Sequence, residues 1–239
     1  METLTNLLER LETIADNLEI VASQKEEVKE EINYEMTAPV MDFDAIINGP
    51  FAEYMTISSK IGGDVDAQAK LVNNCFNAVR GIILVAASSQ APSDAVFQDA
   101  IKPCSTAITS VINFKDSKRS SKEFNNLSAV AESISALGWI AVKPTPGPYV
   151  KDMSDSGQFY INRVLKDFKD KDQKQVDWCK AWANIWKEMQ AYIKEHHTTG
   201  LTWNPNGKAF AGASAAAPGG PPPPPPPPPP AMLDSSEND

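Results

Sequence analysis

Apolar positions at the start of the chain recur with a seven-residue period. With Leu4 at position a, the seam runs Leu4, Leu11, Leu18, Lys25 and Ile32 at a, and Leu7, Ile14, Val21 and Val28 at d. This is a coiled-coil pattern, interrupted by Lys25. Leucine at a with β-branched residues at d favours assemblies of more than two strands, and Leu8, Ala15 and Ala22 at e widen the apolar face. A single amphipathic helix packed on the rest of the molecule is the alternative.

From about residue 40 the period shifts to three and four. Six helices are expected: Phe43 to Ile61, bent at Gly49–Pro50 and ended by Gly62–Gly63; Val65 to Ala86; Ala95 to Phe114, bent at Pro103; Phe124 to Leu137, with Gly138 just past its end; Val150 to Phe168; and residues 172–195. Pro144, Pro146 and Pro148 predict an extended connection before the fifth helix. Short connections between helices of similar length give an all-α, antiparallel six-helix bundle over residues 36–203. An oligomerising coiled coil of residues 1–35 precedes it. From Asn204 the chain turns to Gly, Ala, Ser and Pro, so 204–239 is expected to be a flexible tail. Ten consecutive prolines, 221–230, form a polyproline II rod roughly 30 Å long.

Charge changes the picture in one respect. The net charge is -9, and residues 1–35 carry ten acidic against three basic side chains, whereas 36–205 carry 18 of each. Nucleic-acid binding has no basic field to work with, and an acidic leading segment suits no anionic membrane. No continuous apolar run spans a bilayer, and the amino terminus has no signal-peptide core. A cytoplasmic protein without a transmembrane segment is expected. Cys75, Cys104 and Cys179 fall in apolar-periodic stretches, where thiols act as small buried hydrophobes. The sequon Asn126–Leu127–Ser128 is then accidental.

Candidate chemistry is sparse. No phosphate loop, H-E-x-x-H or G-x-S-x-G motif occurs, and no catalytic residue or cofactor is expected. His196 and His197 are adjacent, point about 100° apart on a helix, and cannot share a metal in the i, i+4 manner; no metal site is expected. Trp178, Trp182 and Trp186 recur every four residues, either as core with ring edges on polar partners or as a protein-binding patch. Lys115, Lys118, Arg119 and Lys122 lie beside one nearby acid, Asp116. They are either a contact for an acidic protein surface or a solvated loop. An exposed edge around Tyr149, Lys151 and Asn162 is the next candidate.

Several stretches together resemble one family. SAVAESISALGWIAVKPTPGPYVKDMSDSGQFYINRVLKDF, VDWCKAWANIWKEMQAYIKEHHTTGLTW and SSKIGGDV closely resemble the amino-terminal half of the adenylyl cyclase-associated proteins (CAP). LLERLETIADNLE is similar to the family's signature of two Arg-Leu-Glu triplets, the second here reading Asn17–Leu18–Glu19. The resemblance implies a non-enzymatic regulator of the cortical actin cytoskeleton. It implies heptads that form a homo-oligomer and bind adenylyl cyclase through Leu7, Leu8, Arg10, Leu11, Glu12, Leu18 and Glu19. It implies a bundle that acts with cofilin on actin filaments, with the basic segment and the Tyr149 edge as contact candidates. Finally it implies a proline run, marked by Pro221, Pro224, Pro227 and Pro230, that docks profilin and SH3 domains. A signalling adaptor, linking cyclase to proline-binding partners without acting on actin, is the other reading. Family members continue into a β-sheet domain; a chain ending at AMLDSSEND is expected to be a partial product or a short paralogue.

Overall fold

The computed structural model describes residue 34 and residues 36–210; the heptad seam and the proline run lie outside them. Among the described residues six helical rods form, and four of them are interrupted. Helix α1 (Ala38–Ile46) passes through a π-helical turn (Ile47–Phe51, containing Pro50) into α2 (Ala52–Ile61). The wide turn absorbs Pro50, which has no N–H to donate. Gly62 and Gly63 then stop the rod with φ of 76° and 57°, a region that suits glycine.

Helix α3 (Gly63–Ser88) is long and apolar enough, by length and composition, to cross a membrane. Its stripe Val65, Val72, Phe76, Val79 and Ile83 is instead buried in the bundle. The third rod breaks at one residue, Ile101, between α4 (Asp94–Ala100) and α5 (Lys102–Ser117), two positions before the bend that the sequence predicts at Pro103. Pro103 stands in the first turn of α5, where a missing N–H is no loss.

Helix α6 (Phe124–Ser133) tightens into a 3-10 segment, Ile134–Ala141, so Gly138 lies inside helical structure and not beyond its end. The predicted extended connection is also shorter than expected. Pro146, Gly147 and Pro148 already form the first turn of α7 (Pro146–Ser156), preceded by a cis Lys143–Pro144 peptide. The fifth rod steps at Gly157 between α7 and α8 (Gln158–Phe168). There the backbone passes so close to α6 that a Cβ would stand 2.6 Å from the Ala129 carbonyl oxygen.

Helix α9 (Gln173–His196) packs against α1, α2, α7 and α8, and α3 packs against α1, α2, α5 and α6. The core lies between these two long rods. Trp178, Trp182 and Trp186 are buried in it, as the core reading predicts, but the Trp186 indole N–H finds no polar partner among the described residues. The Trp178 indole N–H donates to Ser58 Oγ and that of Trp182 to Ser133 Oγ, both at 3.0 Å. All three cysteines are buried, and burial pushes the Cys75 and Cys179 thiols up to about 12 and Cys104 to about 11. Asn126 and Ser128 are buried too, so the sequon is out of reach of a glycan.

Beyond α9 the chain stays attached. His197 is buried and stacked on Trp139, with ring centroids 5.0 Å apart. Its Nδ1 accepts from the Thr202 backbone N–H, so Nε2 carries the proton and donates to Tyr192 Oη at 2.9 Å. Burial, and then neighbouring His196, push its pKa down to about 4, and the ring is neutral. Residues 204–210, expected at the start of a flexible tail, are held: Asn204 N–H donates to Ala86 and Ser89 carbonyls, and Lys208 N–H to that of Ser88. Trp203 lies edge-on between Phe97 and Phe210.

The connection after α5 is pinned to the start of α3. Lys118 Nζ stands 3.0 Å from Asp64 Oδ1. Hydrogen bonds from Lys118 and then Ser121 hold the Asp64 carboxyl below its ordinary range.

The packing predicts opposite effects at two glycines and a pH-dependent one at Asp64. Gly157→Ala should destabilise the protein by about 1–3 kcal/mol, because the obstacle is backbone. Gly81→Ala, on an open part of α3, should instead stabilise it by about 0.5–1 kcal/mol. Urea unfolding checks both, and equal effects would contradict this account of Gly157. For Asp64, a depressed carboxyl contributes stability that is present above its unfolded pKa and is lost as pH falls through the lower folded one. Asp64→Asn should therefore be less stable than wild type at pH 7, with the difference shrinking on acidification below about pH 4. Unfolding curves for the two proteins that stay parallel from pH 7 to pH 3 would refute this.

Candidate interaction surfaces

The basic segment is a surface built from paired charges. Lys115, at the end of α5, is only 15% exposed and reaches Asp116 at 3.2 Å and Glu132 of α6 at 3.5 Å. Lys118 lies over the Phe114 ring while holding Asp64. Arg119 and Lys122 point outward, 79% and 90% exposed, with Asp116 at 3.7 Å and Glu123 at 3.2 Å. Four cations thus stand among four carboxylates. From the sequence only Asp116 is counted beside them; Glu123, the residue after Lys122, is a second neighbour left out there, and Asp64 and Glu132 arrive from other helices. Lys115 and Lys118 brace the fold; Arg119 and Lys122 are the side chains a partner would meet.

The edge around Tyr149 is exposed only in part. Tyr149 is half-buried, its hydroxyl donates to the Ser135 carbonyl at 2.9 Å, and burial raises its pKa. This corrects the expectation of an exposed tyrosine: the hydroxyl ties α7 to the 3-10 segment. Lys151 is exposed, and its bond to Asp155 at 2.6 Å raises its pKa. Asn162, on α8, accepts from Gln158 at 2.9 Å. Lys151 also lines a mainly apolar groove of about 510 Å³ between α7 and α9, with Pro148, Ala191, Ile193 and Lys194. No periodicity marks this groove, because two helices far apart in sequence supply its lining.

The nearest thing to a chemical cluster joins opposite ends of the described chain. His196 Nε2 lies 2.7 Å from Asp42 Oδ2, 154 residues earlier, with Glu195 alongside. The cyclase-binding candidates Leu7, Leu8, Arg10, Leu11, Glu12, Leu18 and Glu19 lie outside the described residues. So do the docking prolines Pro221, Pro224, Pro227 and Pro230.

Comparison with known proteins matches the bundle as a unit. The family model for the N-terminal domain of CAP matches residues 43–201. Adenylyl cyclase-associated protein 1 of Macaca fascicularis is 47% identical over 211 residues, and that of Homo sapiens 46%; each alignment covers 87% of this chain and 44% of the relative. Adenylyl cyclase-associated protein 2 of Mus musculus is 44% identical over 90% of this chain and 46% of its own length. The chain therefore spans under half the length of these relatives. Among solved structures, the N-terminal domain of CAP from Dictyostelium discoideum aligns with a TM-score of 0.70 at 41% identity, covering 71% of this chain and 97% of that one. Another N-terminal domain of CAP, whose crystal structure is described as indicating variable oligomerisation, aligns at 0.71 and 41% identity over 72% and 94%. These matches lead to one conclusion: the chain belongs to the CAP family, through its N-terminal domain.

Proposed function

We propose that this chain acts without catalysis on actin filaments, its bundle working with cofilin to promote severing and depolymerisation. In this reading the heptads of residues 1–35 assemble a homo-oligomer and bind adenylyl cyclase. The proline run recruits profilin and SH3 domains, so that oligomerisation multiplies the docking sites. Its place of action is the cytoplasm at the cortical actin cytoskeleton. The observation that carries the reading is the family match, which runs across the whole bundle. The charge pairing within 115–122 favours a second reading, a signalling adaptor linking adenylyl cyclase to proline-binding partners with no direct action on actin, since that segment offers little net attraction.

The ion pairs also choose the experiment. Reversing Lys118 would break its contact with Asp64 and confuse binding with stability. Arg119→Glu with Lys122→Glu alters the outward charges alone, and should change stability by no more than about 0.5 kcal/mol for each substitution. In a disassembly assay on cofilin-decorated filaments, the full wild-type chain should speed loss of polymer, and added salt should weaken it. The double variant should be several-fold slower and less sensitive to salt. A variant as fast as wild type would move the filament contact elsewhere on the bundle. A wild-type chain with no effect would favour the adaptor.

A further inference from the structure

Where the end of α9 meets α1, three side chains converge that no sequence motif joins. We propose that Asp42, Glu195 and His196 form a binding site for a divalent transition-metal ion of the zinc or cobalt type. Each offers one ligand atom, and the three atoms lie within 4.8 Å of one another. Ligands of a tetrahedral zinc at ~2.1 Å stand about 3.4 Å apart, so small rotations of two exposed carboxylates close the set. The donors are one imidazole nitrogen and two carboxylate oxygens. Zinc accepts this mixture, whereas calcium requires six to eight oxygens and magnesium a near-ideal octahedron.

The surroundings favour a cation. Asp42, Glu188, Glu195 and His196 line a groove of about 510 Å³ that has no Lys or Arg among its described lining residues. The carbonyl end of α9 adds negative potential at the same place. Asp44, two positions on, is engaged bidentately by Arg80, whereas Asp42 Oδ2 meets the histidine.

The histidine is also held in place. Its side chain is only 12% exposed, its ring leans on Tyr192 with centroids 5.3 Å apart, and its carbonyl accepts from Thr202 Oγ1 at 2.6 Å. Adjacent histidines cannot both serve here: His197 turns into the core, and His196 is left to face Asp42. Three protein ligands leave a fourth position toward the groove, open to water or to a donor from a partner. A bound ion would cross-link α1 to the last turn of α9.

Calorimetric titration of the chelator-treated full chain with zinc chloride at neutral pH tests the site. The expected result is uptake of one zinc per chain, weakened about tenfold or more by His196→Gln and by Glu195→Gln, and unchanged by Asp99→Asn, an exposed carboxylate on α4 away from the groove. Cobalt(II) added instead should give visible absorption bands of a low-coordinate ion, which both weakened variants lose. Magnesium should not compete. Glu195 is an exposed helical residue, so its variant carries the test should the histidine variant prove unstable. Wild-type affinity in Glu195→Gln, or no uptake by wild type at millimolar zinc, would overturn the proposal.

Discussion

Two of the three buried indole N–H groups on α9 find partners, and the register of the bundle depends on them. Trp178 donates to Ser58 of α2 and Trp182 to Ser133 at the end of α6. A buried donor left unmet costs about 1–3 kcal/mol, a large share of a domain's net stability. Hydrophobic burial alone would let α9 slide or rotate among similar packings, because it is non-directional. The two bonds remove that freedom. Tyr54 closes on the Trp182 ring at 4.8 Å, and Trp182 meets Trp186 edge-on at 5.2 Å, so the register extends through the core. Ser133 donates onward to the Ala129 carbonyl at 2.7 Å, tying the same contact to the point where Gly157 passes α6.

Once α9 is fixed, the surfaces follow from it. Its middle faces the core, one flank forms the groove with α7, and its last turn carries Glu195 and His196 to Asp42. His197 turns the other way and seats the chain that follows, so residues 204–210 run back to the end of α3. The basic segment is set by the opposite long helix, since Asp64 at the start of α3 holds Lys118. A partner gripping the bundle at this segment meets charges already paired within the protein. Outward side chains such as Arg119 are what remain to contribute attraction.

Much of the fold is legible in the sequence because helical periodicity is local. The apolar stripes of α3 and α9 identify their buried faces, and Gly62–Gly63 marks a stop that positive φ explains. Helix interruptions are less legible. Proline at 103, 146 and 148 argues against a helix interior, yet each stands in a first turn where its missing donor is harmless. Gly157 gives no local sign of its role, because the carbonyl it passes is 28 positions earlier. The candidate sites fare worse for the same reason. A cluster of four cations is visible along the chain, but Asp64 and Glu132, which offset it, come from other helices. Asp42 and His196 lie at opposite ends of the bundle sequence, and only packing brings them together.

The central claim is that the indole–hydroxyl bonds of α9 set the register of the bundle. A double-mutant cycle on Trp182→Phe and Ser133→Ala, followed by urea unfolding, isolates the contribution of one such bond from the packing of either residue. The account predicts that the two losses overlap, with a coupling free energy of about 1 kcal/mol. Additivity within about 0.3 kcal/mol would contradict it and leave apolar burial alone to hold α9 in place.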